Sequence, residues 1–87
     1  MKSNMYLILE KEKTVHIFVI EATSIYSIAS SLTPTPHNKL MVEHCGNTYF
    51  FYAGEVESVS MVKEIDYRPY NKKAITVYSE VEVNGKG

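Results

Sequence analysis

Three histidines and one cysteine, His16, His37, His44 and Cys45, are the side chains whose types would do chemistry most directly. A zinc site is usually announced by ligand pairs spaced as C-x₂₋₄-C or H-x₃₋₅-H. Here His44 and Cys45 are neighbours on a predicted strand, where successive side chains point to opposite faces. His37 lies on a loop before them and His16 in a separate segment, so no metal is expected. The same adjacency argues against a Cys–His nucleophile pair, and no serine stands in a Gly-x-Ser-x-Gly elbow. Six carboxylates, Glu55, Glu57, Glu64, Asp66, Glu80 and Glu82, gather from residue 55 onward, on what reads as a second hairpin. Converging acids can move protons or hold Mg²⁺, but on strands they more often mark a solvated face or guard an edge. The four glycines, Gly46, Gly54, Gly85 and Gly87, build no phosphate-cradling loop. These patterns predict a chain without cofactor and without enzymatic activity.

Residues suited to binding are easier to find. Tyr67-Arg68-Pro69-Tyr70-Asn71-Lys72-Lys73 holds the only arginine of the chain. Tyr and Arg join large contact area to a directional polar group and are enriched at binding hot spots. Presented at the tip of a hairpin, Tyr67, Arg68, Tyr70, Lys72 and Lys73 would form a partner-binding site. In the alternative the tyrosines pack down on a sheet and Pro69 stiffens a turn. A second surface is the uncharged side of a short helix, with Ser24, Ser27, Ser30 and Ser31 and nearby Tyr26. A third is Thr48-Tyr49-Phe50-Phe51-Tyr52, where Tyr49 and Phe51 share one strand face and Phe50 and Tyr52 the other. One pair must be core. The other, if uncovered, would be a dimer contact or a stacking platform; in so small a chain, cover over both is expected.

These groups have to be positioned by β-structure. Met5–Glu10 and Thr14–Glu21 are β-prone runs joined by Lys11-Glu12-Lys13, which predicts an antiparallel hairpin, and the second run is apolar enough to lie centrally. Ile25, Ile28, Ala29 and Leu32 then follow helical spacing, with Thr23 or Ser24 as cap and Pro34 as stop. Thr33–Asn38 reads as a loop. Lys39–Cys45 and Thr48–Ala53 flank Gly46-Asn47, a two-residue hairpin connection. From Gly54 a second, longer hairpin is expected, its first arm showing Val59, Met61 and Ile65 on alternate positions and its last arm Ile75, Val77, Val81 and Val83. Residues 55–64 could also read as helix, but their β-branched density favours strand. The order β-β-α-β-β-β-β predicts an α+β fold: one antiparallel sheet with one short helix packed on a face, spanning residues 1–87 as a single domain.

Composition sets the remaining bounds. With 45% hydrophobic and 22% charged residues, the chain is ordinary for a globular domain. Its formal net charge of −1 offers neither the basic excess of a general nucleic-acid binder nor the acidic excess of a nucleic-acid mimic. So little charge also predicts self-association. A single cysteine excludes an intramolecular disulfide and suits a reducing, cytoplasmic setting. No apolar run approaches a membrane span or the core of a signal peptide.

The opening hairpin leading through Ile20-Glu21-Ala22-Thr23-Ser24 into a short helix resembles the β-β-α start of many small phage and mobile-element proteins, some anti-CRISPR inhibitors among them. The likeness covers the first third of the chain and is topological, without a diagnostic motif. It implies a stoichiometric inhibitor or accessory protein. The leading expectation is therefore a small protein-binding module acting through Tyr67, Arg68, Tyr70, Lys72 and Lys73. The alternative is a single-stranded nucleic-acid binder using Tyr49, Phe51 and the same basic loop.

Overall fold

The computed structural model describes residues 1–79. Seven strands form two sheets: β1 (Ser3–Lys11), β2 (Thr14–Ala22), β3 (Leu32–Pro34), β4 (Lys39–His44), β5 (Asn47–Tyr52), β6 (Val56–Val62) and β7 (Ala74–Tyr78). The larger sheet has the order β6-β1-β2-β7 and the smaller the order β3-β4-β5. One helical turn, α1 (Ile25–Ile28), continues into a 3₁₀ turn at Ala29–Ser31. The architecture is thus mostly antiparallel β-sheet with one short helix on a face. Among the described residues, no helix is long and apolar enough to cross a membrane.

The expected first hairpin forms, with Glu10 opposite Val15 and Ser3 opposite Ala22. Because β1 and β2 are the two central strands, both of their faces are buried, which explains their near-continuous apolar runs. On one face, Leu7, Leu9 and Phe18 pack against Val42 and Phe51 of the smaller sheet. Ile28 of α1 joins the same face beside Met5 and Ala22, with Ile25 packed against that cluster. On the other face, Ile8, Val15 and Ile17 lie under Tyr6, Val62, Ile65 and Tyr70.

Three expectations are corrected, and the antiparallel sheet is found divided in two, β3-β4-β5 forming its own sheet stacked on the larger one. The helix ends earlier than the apolar spacing suggested, since Ala29 is exposed and Leu32 is drawn into β3 opposite Val42. Pro34 closes that edge strand, where its missing N–H costs no ladder bond.

The tight turn falls one residue earlier than expected. Its central pair is Cys45-Gly46, with φ of 52° and 80°, and His44 faces Asn47 across it. Two successive positive φ values twist a two-residue connection in the sense its strands require.

Among the described residues, the long C-terminal hairpin does not form. Residues 55–64 do give a strand, but β6 pairs with β1 while β7 pairs in parallel with β2, on the opposite edge of the sheet. The connecting residues 63–73 therefore cross the sheet instead of turning back, and Ile65 and Tyr70 seal the face they cross. The expected continuation through Glu80, Val81, Glu82 and Val83 lies outside the described residues.

Candidate binding surface

Alternation along β4 and β5 sorts the smaller sheet into an inner and an outer face. Leu40 pairs with Phe51 and Val42 with Tyr49, all directed at the core. The intervening pairs, Lys39 with Tyr52, Met41 with Phe50 and Glu43 with Thr48, point the other way. The rings among them are open, Phe50 being 57% and Tyr52 56% exposed, while Lys39 and Met41 are half-buried. The Lys39 ammonium stands over both rings, 5.9 Å from the Phe50 centroid and 5.3 Å from that of Tyr52. At an exposed site such cation–π contacts contribute about 0.5–1 kcal/mol, enough to hold the lysine across the rings. The outer face is thus an aromatic and methionine centre with a cation at one end and the Glu43 carboxylate at the other.

The inner aromatics are unavailable to a ligand. Phe51 is buried, and Tyr49 packs between Phe18 (5.4 Å) and Tyr78 (4.9 Å). Phe18 and Tyr78 stack in turn at 4.2 Å and 11°. The pair named for stacking on nucleic acid, Tyr49 and Phe51, is therefore core, and where cover over both pairs was expected, Phe50 and Tyr52 are open.

The 67–73 segment does not assemble as a tip. Tyr70 packs onto Ile8, Val15 and Ile17. Arg68 folds onto Asp66, with Nε 2.9 Å from Oδ1 and Nη2 2.8 Å from Oδ2. That ion pair holds the Asp66 carboxyl below, and the Arg68 guanidinium above, its ordinary range. Lys73 is the most engaged charge described. Its Nζ donates to Glu10 Oε2 (2.7 Å), the Lys11 carbonyl (2.6 Å) and Glu57 Oε1 (3.3 Å). A register shift beside Glu10 leaves Glu57 without a strand partner, opposite this lysine. Hydrogen bonding to Lys73 pulls the Glu10 pKa down, and Glu10 raises that of Lys73. Lys73 thus fastens the end of the crossover to the first hairpin, together with the Ala74 amide donating to the Lys13 carbonyl. Only Tyr67 and Lys72 of the five are left as outward-facing groups without a partner described here.

His44 and His16 are likewise structural in their geometry, while His37 is exposed. β7 pairing stops at Phe18, and the next carbonyl of β2, that of Val19, accepts a 2.9 Å bond from His44 Nε2. The exposed Cys45 thiol lies 3.8 Å from that same nitrogen, closer than strand alternation suggested, because Cys45 is in the turn. A nitrogen that donates to a carbonyl has no lone pair to take a thiol proton, so the contact is not an activated pair. His16 links Thr14 Oγ1 (3.3 Å from Nε2) to Tyr78 Oη (2.9 Å from Nδ1) across the parallel β2–β7 junction. Burial, then the charge of Lys11, depresses its pKa; burial, then Tyr49, raises that of Tyr78. Among the described residues, no carboxylate completes this chain. Among the described residues, no three His, Cys, Asp or Glu side chains converge on a common point for a metal ion.

No protein-family model, curated protein or solved structure matches this chain.

The serine side of α1 is open as well. Tyr26 is 85% exposed, and Ser27 and Ser30 are also exposed. Their hydroxyls are turned on one another and on the backbone: Thr23 and Ser24 both reach Ser27 Oγ, and Ser30 Oγ donates to the Ser27 carbonyl. Such a self-satisfied surface offers a partner less than the aromatic face does. Sequence patterning revealed that β5 is aromatic on both sides, but not which side the second sheet would leave bare.

Proposed function

We propose that this chain is a small protein-binding module, not an enzyme, and that it docks its partner on the outer face of β3-β4-β5. The observation that carries this reading is the open pair Phe50 and Tyr52, held under Lys39 beside Met41. Aromatic and methionine side chains are enriched at interface centres because they bury much area for few rotatable bonds, with charge at the rim. Here Lys39 and Glu43 occupy that rim. Stoichiometric capture of another protein suits such a surface, as an inhibitor or accessory protein of the phage or mobile-element kind would require. A single exposed thiol fits a reducing, cytoplasmic setting.

A second reading rests on the same rings. Phe50 and Tyr52 stand about 7 Å apart along β5 and would each stack on a base of a single strand. Charge favours protein: Lys39 is the one cation paired into this face, Glu43 offsets it, and the net charge is −1. Strand binders rely on a basic groove to track phosphates. Replacing Phe50 with a photo-crosslinking benzoyl-phenylalanine in living cells separates the two. Protein adducts absent from a matched Thr76 control support the proposal. Nuclease-sensitive adducts support the second reading, and no adduct of either kind overturns both.

A further inference from the structure

The outer face of β3-β4-β5 is self-complementary, and we infer that its occupant is a second copy of this chain, packed face to face about a two-fold axis. This deepens the proposed protein-binding role and rests on it. The register supplies the argument. Along β4 the outward residues run Lys39, Met41, Glu43, and along β5 their partners run Tyr52, Phe50, Thr48. The sequence of chemistries is cation, apolar, anion, with the apolar pair in the middle.

A two-fold axis lying between the copies, across the strands and through the Met41–Phe50 pair, reverses that order in the second copy. Lys39 of each copy then meets Glu43 of the other, twice over, while Met41 and Phe50 meet their own counterparts. The offset from the axis to either charge is two residues, about 7 Å, so the usual sheet-packing angle of about 30° displaces the charged groups by only a few ångströms. Long side chains absorb that. Neither Lys39 nor Glu43 makes an ion pair with another described residue, so no existing bridge has to break. An axis along the strands would leave both Glu43 carboxylates without a cation. Pairing edge to edge would leave Phe50 and Tyr52 uncovered. A net charge of −1 adds almost no repulsion between copies.

The face is small: two strands of six residues and an edge strand of three project roughly 240 Å², so the dimer belongs to the weak, concentration-dependent class. Sedimentation velocity at low salt is expected to show monomer at roughly 1 µM and dimer at several hundred micromolar, in keeping with an interface of that class. Glu43→Lys and Lys39→Glu should each weaken dimerisation at least tenfold by opposing like charges. The combined Lys39→Glu/Glu43→Lys variant should restore it, with circular dichroism confirming that all three remain folded. A wild-type chain that stays monomeric at the highest concentration overturns the dimer, as does a combined variant no tighter than the single ones. If the wild type is monomeric while the residue-50 probe still captures a different protein, the homodimer falls and the protein-binding reading stands.

Discussion

His16 lies where two strands run in parallel, its ring bracketed by the hydroxyls of Thr14 and Tyr78. Burial, with the Lys11 charge second, holds its pKa below the ordinary 6.5, so the folded chain binds this proton less readily than the unfolded chain. The resulting contribution to stability is complete above pH 6.5, shrinks as pH falls toward the depressed folded value, and is level below it. Glu10 acts in a lower window. Its pKa lies below the ordinary 4.5, chiefly through its bond from Lys73, so its contribution is present above 4.5 and lost as pH falls through the folded value. Thermal melts from about pH 7 to pH 3 should therefore decline in two stages. His16→Gln should remove the upper stage and leave the lower. Two other cations, each in an ion pair, should differ in how much they matter. Lys73→Ala breaks three contacts joining the crossover to the first hairpin and should lower Tm clearly. Arg68→Ala removes an exposed pair within its own loop and should leave Tm within about 1 °C.

The Cys45-Gly46 turn makes a separate prediction at the level of elements. Asparagine tolerates the left-handed region better than cysteine, so Cys45→Asn should stabilise the hairpin by about 0.5 kcal/mol. Gly46→Ala, at φ 80°, should cost about 1 kcal/mol, although a Cβ there would meet no neighbour. His44→Ala should cost about 1–3 kcal/mol by leaving the Val19 carbonyl without its donor. Chemical denaturation reads all three. These elements also mark how far the sequence was legible. Period-two alternation gave the strands and their faces, including the division of Tyr49 and Phe51 from Phe50 and Tyr52. Alternation does not say which strand lies alongside, so Ile75 and Val77 looked the same for a hairpin arm as for a parallel edge strand on β2. Gly46-Asn47 matches the usual dipeptide chemistry and so predicts the turn one residue late, whereas the structure places a cysteine at positive φ. Leu32 fitted the helical spacing of Ile25 and Ile28, yet pairing with Val42 outweighed a helix too short to be stable alone.

Among the described residues, the two central strands of the larger sheet are covered on both sides, by the smaller sheet with α1 and by the 63–73 crossover, while Ile75 and Val77 on the β7 edge stay exposed. That arrangement explains why the basic and aromatic 67–73 cluster is partly consumed in holding the fold, and why the bare surface appears on the outside of the second sheet. Adjacent residues on β5 should then differ sharply. Phe51→Ala should cost about 3–5 kcal/mol as a core truncation, while Phe50→Ala and Tyr52→Ala should each change stability by less than about 1 kcal/mol. The most direct test of the outer face is ring-proton NMR with a soluble paramagnetic probe, recorded on dilute and on concentrated protein. In dilute solution Phe50 and Tyr52 should broaden strongly while Phe18 and Phe51 do not, and at high concentration the first pair should become shielded. Rings of Phe50 and Tyr52 already shielded in dilute solution would contradict the open face, and rings equally accessible at every concentration would contradict the dimer.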